Sequence, residues 1–345
     1  MTARYAAAAI LLLLSACGQK APDADATAVA EPADADPESG QGRAREAGRA
    51  LIGTDAPVAV LRTVDGATID LAKAYGRTPV YLKFWATWCV PCRQQMPGFE
   101  AEFERYRGRI LTVAVNTGFN DTADAVREYR REHGLKMPIA IDDGSLGAAL
   151  NLRVTPQHVV IGRDGRILYV GHLDDRRLAD ALRQAVVEQP SAQVLRAPGA
   201  TVTGLDPLAK AAGFPVQGPY KRPRVLVFFS PWCEQYFEKS RPAYTQACRR
   251  VREEVNRLAQ SGDEQWVGIA SGLWSSTKDL TDYKEERGAY HLPLYLDGNG
   301  AAFRAFGVRD VPTVIILNRN GRIVRRLGPG DRGLSNALRE ASTPA

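Results

Sequence analysis

The 345-residue sequence predicts an α/β protein made of two tandem copies of one unit, each a central mixed β-sheet flanked by helices. Three observations carry that expectation. Short apolar runs alternate with amphipathic helical patterns, as βαβ units do. Each half closes with two apolar runs around a turn signal, Gly162-Arg163-Asp164-Gly165 in the first and Asn318-Arg319-Asn320-Gly321 in the second. Val225 to Cys233 also lines up with Tyr81 to Cys89, so one strand-then-cysteine stretch occurs twice.

In the first half the pattern predicts strands at Val58–Leu61, Val80–Phe84, Ile110–Asn116, Ile139–Ile141, His158–Ile161 and Ile167–Val170. Helical periodicity falls at Cys92–Tyr106, Thr122–His133, Ser145–Leu150 and Asp174–Val187. The repeated cysteines are 144 residues apart and the repeated prolines, Pro156 and Pro312, 156 apart, so the second copy carries a longer helix or loop between them. The domains are then 53–190 and 220–340, joined by a Pro/Gly-rich connector at 191–219 with a short helix around Leu205–Ala212. Hydrophobic residues make up 45% and charged residues 24%, enough apolar material for a core in each half. The net charge of +6 is spread among acidic residues without a Lys/Arg block, which argues against a nucleic-acid surface. Beyond the extreme N-terminus no apolar run approaches the ~20 residues needed to span a bilayer.

The chemistry centres on Phe84-Trp85-Ala86-Thr87-Trp88-Cys89-Val90-Pro91-Cys92. A CxxC directly after a strand and at the start of a helix meets free N–H groups and a positive dipole end, which favour thiolate over thiol. One helical turn keeps Cys92 within reach of Cys89, so Cys89 can attack a disulfide and Cys92 can resolve the mixed intermediate. Half of a zinc site is a competing reading, but it needs a second CxxC or paired histidines. The four histidines, His133, His158, His172 and His291, are scattered in sequence. An inert disulfide is the other alternative. No metal and no cofactor beyond the Cys89–Cys92 disulfide are expected.

Residues 1–17 read as a processing segment: Arg4, the apolar stretch Ala6–Leu14, then Leu14-Ser15-Ala16-Cys17. The last four look like a bacterial lipobox, in which Cys17 is lipidated and becomes the N-terminus; an ordinary cleaved signal is the alternative. Gly18, where an aspartate would retain the protein at the inner membrane, slightly favours the outer membrane. Lipidation would place the chain on the periplasmic side of a bacterial membrane, where disulfides persist. Residues 18–52 lack apolar periodicity and read as a flexible tether.

The first domain resembles thioredoxin-fold proteins, closest to the periplasmic TlpA/ResA-like thiol–disulfide oxidoreductases. The resemblance rests on Phe84 to Cys92, on Val154-Thr155-Pro156 before the terminal hairpin and on Asp164-Gly165-Arg166 in its turn. It implies that Pro156 is cis and faces the cysteines, and that the Thr155 backbone pairs with a bound substrate strand, with Trp88, Val90 and Pro91 forming the rest of the contact surface. From the residues alone, Thr155-Pro156 is equally a plain strand start. Two departures stand out. Thioredoxins carry a buried aspartate six residues before the first cysteine, where this chain has Lys83. That lysine either lies buried and lowers the thiolate pKa or extends its head to solvent. ResA-like proteins place a glutamate after the third strand, where this chain has Phe119, so the specificity linked to that glutamate is not carried over.

The second copy reads Cys233-Glu234-Gln235-Tyr236, with Tyr236 where the resolving cysteine would be. Cys248, fifteen residues along what reads as one helix, would lie about 22 Å away, and disulfides need Cα atoms about 4.4–6.8 Å apart. Cys248 is therefore expected to be a small buried apolar side chain. Cys233 reads either as a relay or mixed-disulfide partner or as a relic in a domain kept for packing. The expected function is a lipid-anchored periplasmic reductase of protein disulfides, in cytochrome c maturation or a similar task. By the family's pattern it would be recharged by a membrane electron donor of the DsbD/CcdA type. The alternative is a binding or assembly protein in which the second domain recruits a partner and redox activity is minor.

Overall fold

Val80 to Trp85 is buried at all six positions, on both faces, so this strand must lie at the centre of a sheet covered on each side. The computed structural model, which describes residues 36–187, 222–260, 264–287 and 292–342, places it there. The expected signal segment, Cys17, most of the tether and the connector with its expected helix lie outside the described residues.

In chain order the first half comprises α1 (Gly40–Arg49), β1 (Val60–Arg62), β2 (Thr68–Asp70), α2 (Leu71–Ala74), β3 (Val80–Trp85), α3 (Val90–Gln94) and α4 (Met96–Arg105). It continues with β4 (Leu111–Asn116), α5 (Ala123–Glu132), β5 (Ile139–Ile141), α6 (Ser145–Ala149), β6 (Gln157–Ile161), β7 (Ile167–Gly171) and α7 (Arg176–Val187). The second half comprises β8 (Arg224–Phe229), α8 (Cys233–Tyr236), α9 (Pro242–Ala259), β9 (Gln265–Ser271), α10 (Thr277–Glu286), β10 (Leu294–Asp297), α11 (Ala301–Ala305), β11 (Thr313–Leu317), β12 (Ile323–Leu327) and α12 (Leu334–Ser342). The sheets run β5-β4-β3-β6-β7 and β10-β9-β8-β11-β12, the same order, with β1 and β2 as a separate hairpin. In each sheet the first three strands are parallel and the last two antiparallel. The predicted repeat is therefore present strand for strand, and α9, with 18 residues against 10 in α4, supplies eight of the twelve extra residues between cysteine and proline.

Two expectations are corrected. The expected tether is helical over Gly40–Arg49, and this helix packs on β7. Its buried face is Gly42, Ala44, Ala47 and Gly48, too small to register as apolar periodicity. A Cβ on Gly48 would stand 2.5 Å from Val170 Cβ, so only glycine allows the helix this close.

The single helix expected from Cys233 through Cys248 is broken. Helix α8 ends at Tyr236, Phe237 is buried, and α9 begins at Pro242, whose ring and missing N–H exclude it from a helix interior. The chain turns at Arg241 and brings Cys248 back beside Cys233, with Cα atoms 6.4 Å apart and the sulfurs bonded at 1.93 Å. Cys248 is buried as expected, but as the partner of Cys233.

From Asp36 onward the chain forms one contact unit; one apolar core joins the facing sides of the two sheets, and each half has a further core of its own. The sheets meet about a pseudo-two-fold axis. Trp88 stacks on Trp232 with ring centroids 5.4 Å apart. Asn120 N–H donates to the Arg309 carbonyl at 2.9 Å, and its counterpart Trp274 N–H donates to the Arg153 carbonyl at 2.8 Å. Both residues adopt the left-handed backbone region, φ 52° and 56°, a conformation that costs a tryptophan energy and aims its N–H at the facing loop. Arg241 locks the joint, donating to the Asn120 carbonyl at 2.6 Å, Thr87 Oγ1 at 2.8 Å and Asp121 Oδ1 at 3.1 Å.

The Asp121 side chain is fully buried and also accepts from Thr87 N–H at 2.7 Å and Asn116 Nδ2 at 2.8 Å. The Thr87 hydroxyl also donates to it, so Asp121→Ala deprives four donors of an acceptor and is expected to lower stability by about 3–5 kcal/mol in urea unfolding at pH 7. A loss below about 1 kcal/mol would contradict this account of the joint.

Candidate active site

Strand β3 ends at Trp85, and a three-residue turn delivers Cys89 to the N-cap of α3. Proline at the start of that helix suits the sequence, because the first helical turn has no use for its missing N–H. The Cys92 N–H points at Cys89 Sγ, 3.2 Å away. The two sulfurs are bonded at 2.03 Å with Cα atoms 5.2 Å apart. A backbone donor fixed on the first sulfur stabilises it as a thiolate once the pair is reduced. Helix α4 follows after a kink at Gln95, with Pro97 in its first turn.

The Thr155–Pro156 peptide is cis, and Cys89 Sγ lies 3.3 Å from the Thr155 carbonyl oxygen. The expected meeting of CxxC and proline loop is thus present. The second copy repeats it with a cis Val311–Pro312 peptide. Trp88 is buried with its Nε1 donating to the Phe119 carbonyl at 2.7 Å, Val90 is 40% exposed, and Pro91 is half-buried.

The site is closed. Cys89 is 1% exposed and Cys92 fully buried, because the second sheet's motif covers them. Besides the Trp88–Trp232 stack, Val90 N–H donates to Tyr236 Oη at 3.0 Å, and the Phe237 ring packs edge-on to Trp88 at 5.5 Å. Trp274 Nε1 donates to Thr155 Oγ1 at 3.3 Å. Together with the Trp274–Arg153 backbone bond, this places a foreign backbone on the edge where the resemblance expected a substrate strand. Phe119, where the family has glutamate, packs its ring against both Trp88 and Trp232. A cavity of about 280 Å³ opens along one side of the joint, lined by Phe119, Asp142, Asp297 and Arg309 among others; neither cysteine pair lines it.

Lys83 is wholly buried; it does not reach solvent. Its Nζ has no hydrogen-bond partner among the described residues and sits 5.3 Å over the Phe99 ring. Burial pushes its pKa down from 10.5 to about 7, against a smaller upward pull from Asp174. In the sheet it stands directly opposite His158, so both side chains share a face.

Two of the histidines that looked scattered, His158 and His172, gather here. Tyr81 Oη donates to His158 Nδ1 at 2.8 Å, and His158 Nε2 donates to Gln95 Oε1 at 2.8 Å. Gln95 Nε2 in turn donates to the His172 carbonyl at 3.1 Å, and His172 Nδ1 donates to the Pro156 carbonyl at 2.7 Å. Burial, first of all, pushes both histidines below their usual value, and Lys83 adds to it, so this chain of neutral groups ties the helix kink to the proline loop. No cluster of His, Cys, Asp or Glu able to hold a metal ion occurs among the described residues.

Sequence reasoning missed this network because its bonded partners lie 16 to 77 positions apart and meet only across β3, β6 and the α3–α4 kink. Opposed positions on β3 and β6 were the signal that would have found Lys83 and His158. Sequence reasoning also missed the second cysteine pair, for which Pro242 was the available sign.

The Redoxin family model matches residues 51–184. The thioredoxin-like protein YneN of Bacillus subtilis is 34% identical over 133 residues, covering 38% of this chain and 78% of YneN. The thiol–disulfide oxidoreductase ResA of Bacillus thuringiensis is 30% identical over 118 residues, covering 34% of this chain and 67% of ResA. Among solved structures, a thiol:disulfide interchange protein of the thioredoxin family from Chlorobium tepidum matches 39% of this chain and 97% of its own, at 25% identity and a TM-score of 0.34. With a CxxC at the head of a helix, a cis-proline loop against it and relatives matched over most of their length, the chain belongs to the thioredoxin-like thiol–disulfide oxidoreductases of the ResA and YneN kind.

Proposed function

We propose that this oxidoreductase works as a reductase of protein disulfides on the outer side of a bacterial membrane, anchored through a lipid on Cys17. The single observation that carries the chemistry is the Cys92 N–H held 3.2 Å from Cys89 Sγ at a helix start. The Cys89 thiolate attacks one sulfur of a client disulfide, forming a mixed disulfide and releasing the client's other sulfur as thiolate. Cys92 then attacks Cys89 Sγ, the Cys89–Cys92 bond forms, and the client leaves with two thiols. The disulfide is itself the redox group, so this chemistry needs no other cofactor. A membrane donor of the DsbD/CcdA type would return the two electrons. Apocytochrome c cysteines, copper-site cysteines or other disulfide-bearing proteins are the client classes, and Gly18 after the lipidated cysteine favours the outer membrane.

Thr155 and Pro156 would receive the client strand, with Trp88, Val90 and Pro91 around it. In the closed arrangement Trp274 holds that place, so a client must displace it. Lys83, neutral above about pH 7, would take up the proton that Cys92 gives up on resolving the intermediate. It shares its aromatic neighbour Phe99 with the core that contains Cys92.

Three outcomes are expected. Cys89→Ser reduces insulin no faster than background, while Cys92→Ser combined with Cys233→Ser accumulates mixed disulfides with clients in the native host; an empty trap on a folded, reactive Cys89 would speak for a binding role instead. Trp274→Ala raises the alkylation rate of reduced Cys89 several-fold, and an unchanged rate would show that the covering loop does not limit access. For Lys83 the folded value lies below the unfolded one, so between about pH 7 and 10.5 the unfolded chain holds a proton that the native chain lacks, and stability rises with pH across that window. Lys83→Met should remove that rise, on the order of 4–5 kcal/mol in full. Urea midpoints at pH 7 and 10 test it, and parallel shifts in the two proteins would refute it.

A further inference from the structure

We propose that Cys233 and Cys248 form a second thiol–disulfide centre, which exchanges electrons with the Cys89–Cys92 pair across the joint. This rests on the reading of Cys89 and Cys92 as a redox dithiol.

The second pair occupies the place of the first. Cys233 follows β8 as Cys89 follows β3, and it opens a helix whose fourth residue is Tyr236 in place of a cysteine. Because the chain breaks at Arg241–Pro242, the missing partner is supplied from α9, at a Cα distance of 6.4 Å against 5.2 Å in the first pair. The helices that carry the two sulfurs are held together by more than that bond. Arg252 Nε donates to Glu234 Oε1 at 2.7 Å, and Thr245 Oγ1 donates to the Glu234 carbonyl at 3.3 Å. Opening the disulfide therefore leaves both thiols in place to close again, as a reversible centre requires.

The two pairs also face one another. The residues before the leading cysteines, Trp88 and Trp232, stack at 5.4 Å, and the residue after Cys89 donates its N–H to Tyr236 Oη at 3.0 Å. In sequence, Cys89 and Cys233 each lie between the residues that make these contacts. A cross-link serving folding alone has no need to sit where the other redox motif docks.

The step balances as ordinary exchange. With the first pair reduced by an external dithiol, the Cys89 thiolate attacks Cys233 Sγ; the Cys89–Cys233 bond forms, the Cys233–Cys248 bond breaks, and Cys248 leaves as thiolate. Cys92 then loses its proton and attacks Cys89 Sγ, restoring Cys89–Cys92 and releasing the Cys233 thiolate. Two electrons have passed to the second domain, and the proton given up by Cys92 is available to one of the two new thiolates.

The test uses the purified full chain with Cys92→Ser, in which the Cys89 thiol faces an intact Cys233–Cys248 bond. After alkylation of the native protein, tryptic mass spectrometry should show a peptide linked through Cys89 and Cys233, with Cys248 alkylated. Dithiothreitol should also open Cys233–Cys248 at least ten-fold faster in the wild type than in Cys89→Ser/Cys92→Ser. Far-UV circular dichroism checks folding, and Cys92→Ala replaces Cys92→Ser if the latter does not fold. Absence of the linked peptide in the folded variant, or a Cys233–Cys248 bond that opens only in denaturant, overturns the proposal and leaves a structural cross-link. Reduction of a small-molecule disulfide by wild type and Cys89→Ser reports on the first centre independently, so failure of the relay is distinguishable from failure of that reading.

Discussion

The arrangement depends on backbone groups that neither proline loop can satisfy by itself. At both Arg153 and Arg309, three residues before the prolines, the carbonyl accepts from the other domain. Trp274 supplies the first donor and Asn120 the second, while the Asn120 side chain also accepts from Val311 N–H at 2.9 Å. Buried backbone groups must be paired, and here each domain pairs the other's. The Trp88–Trp232 stack adds the apolar centre around which those bonds exclude water.

This constraint explains why the dithiol is closed. Here the second domain sets Trp274 against the Arg153 carbonyl and Thr155 Oγ1 of the cis-proline loop, and Arg241 ties that domain to Thr87, in the turn that leads to Cys89, and to Asp121 after β4. Exposing that edge would require the two domains to separate, against the aromatic contacts and the hydrogen bonds just described. The second domain acts first on the site itself, by covering it.

Much of this was legible in the sequence. The CxxC, its helix, the proline loop, the hairpin turns and the repeat all follow from local residue chemistry, where neighbours in sequence are neighbours in space. What was not legible came from packing over distance. Helix α1 escaped because glycine and alanine make its buried face, and a contact made by small residues leaves no hydropathy signal. The Cys233–Cys248 bond escaped because helical periodicity was carried through Pro242, although proline is the residue that forbids it. Lys83 could be placed only by the sheet register, which puts it beside His158 with no exit to water.

The repeat supplies an internal control for that buried lysine. By the alignment of the two motifs, Lys83 corresponds to Val227 and His158 to Val314. The register agrees: Lys83 opposes His158 in one sheet, and Val227 opposes Val314 in the other. The same backbone position is thus filled once by two ionisable side chains and once by two β-branched apolar ones. Burying an amine without a hydrogen-bond partner costs several kcal/mol and pushes it toward neutrality, whereas valine at a central strand position is favourable. Since the fold forms with the apolar pair, folding does not require the polar one. The costly pair stands in the domain that has its two cysteines one helical turn apart, on the face shared with Phe99 and the core around Cys92. The proton transfer proposed for that dithiol would give the pair a use, and the apolar version shows what the same sheet contains when its leading cysteine is paired across two helices instead.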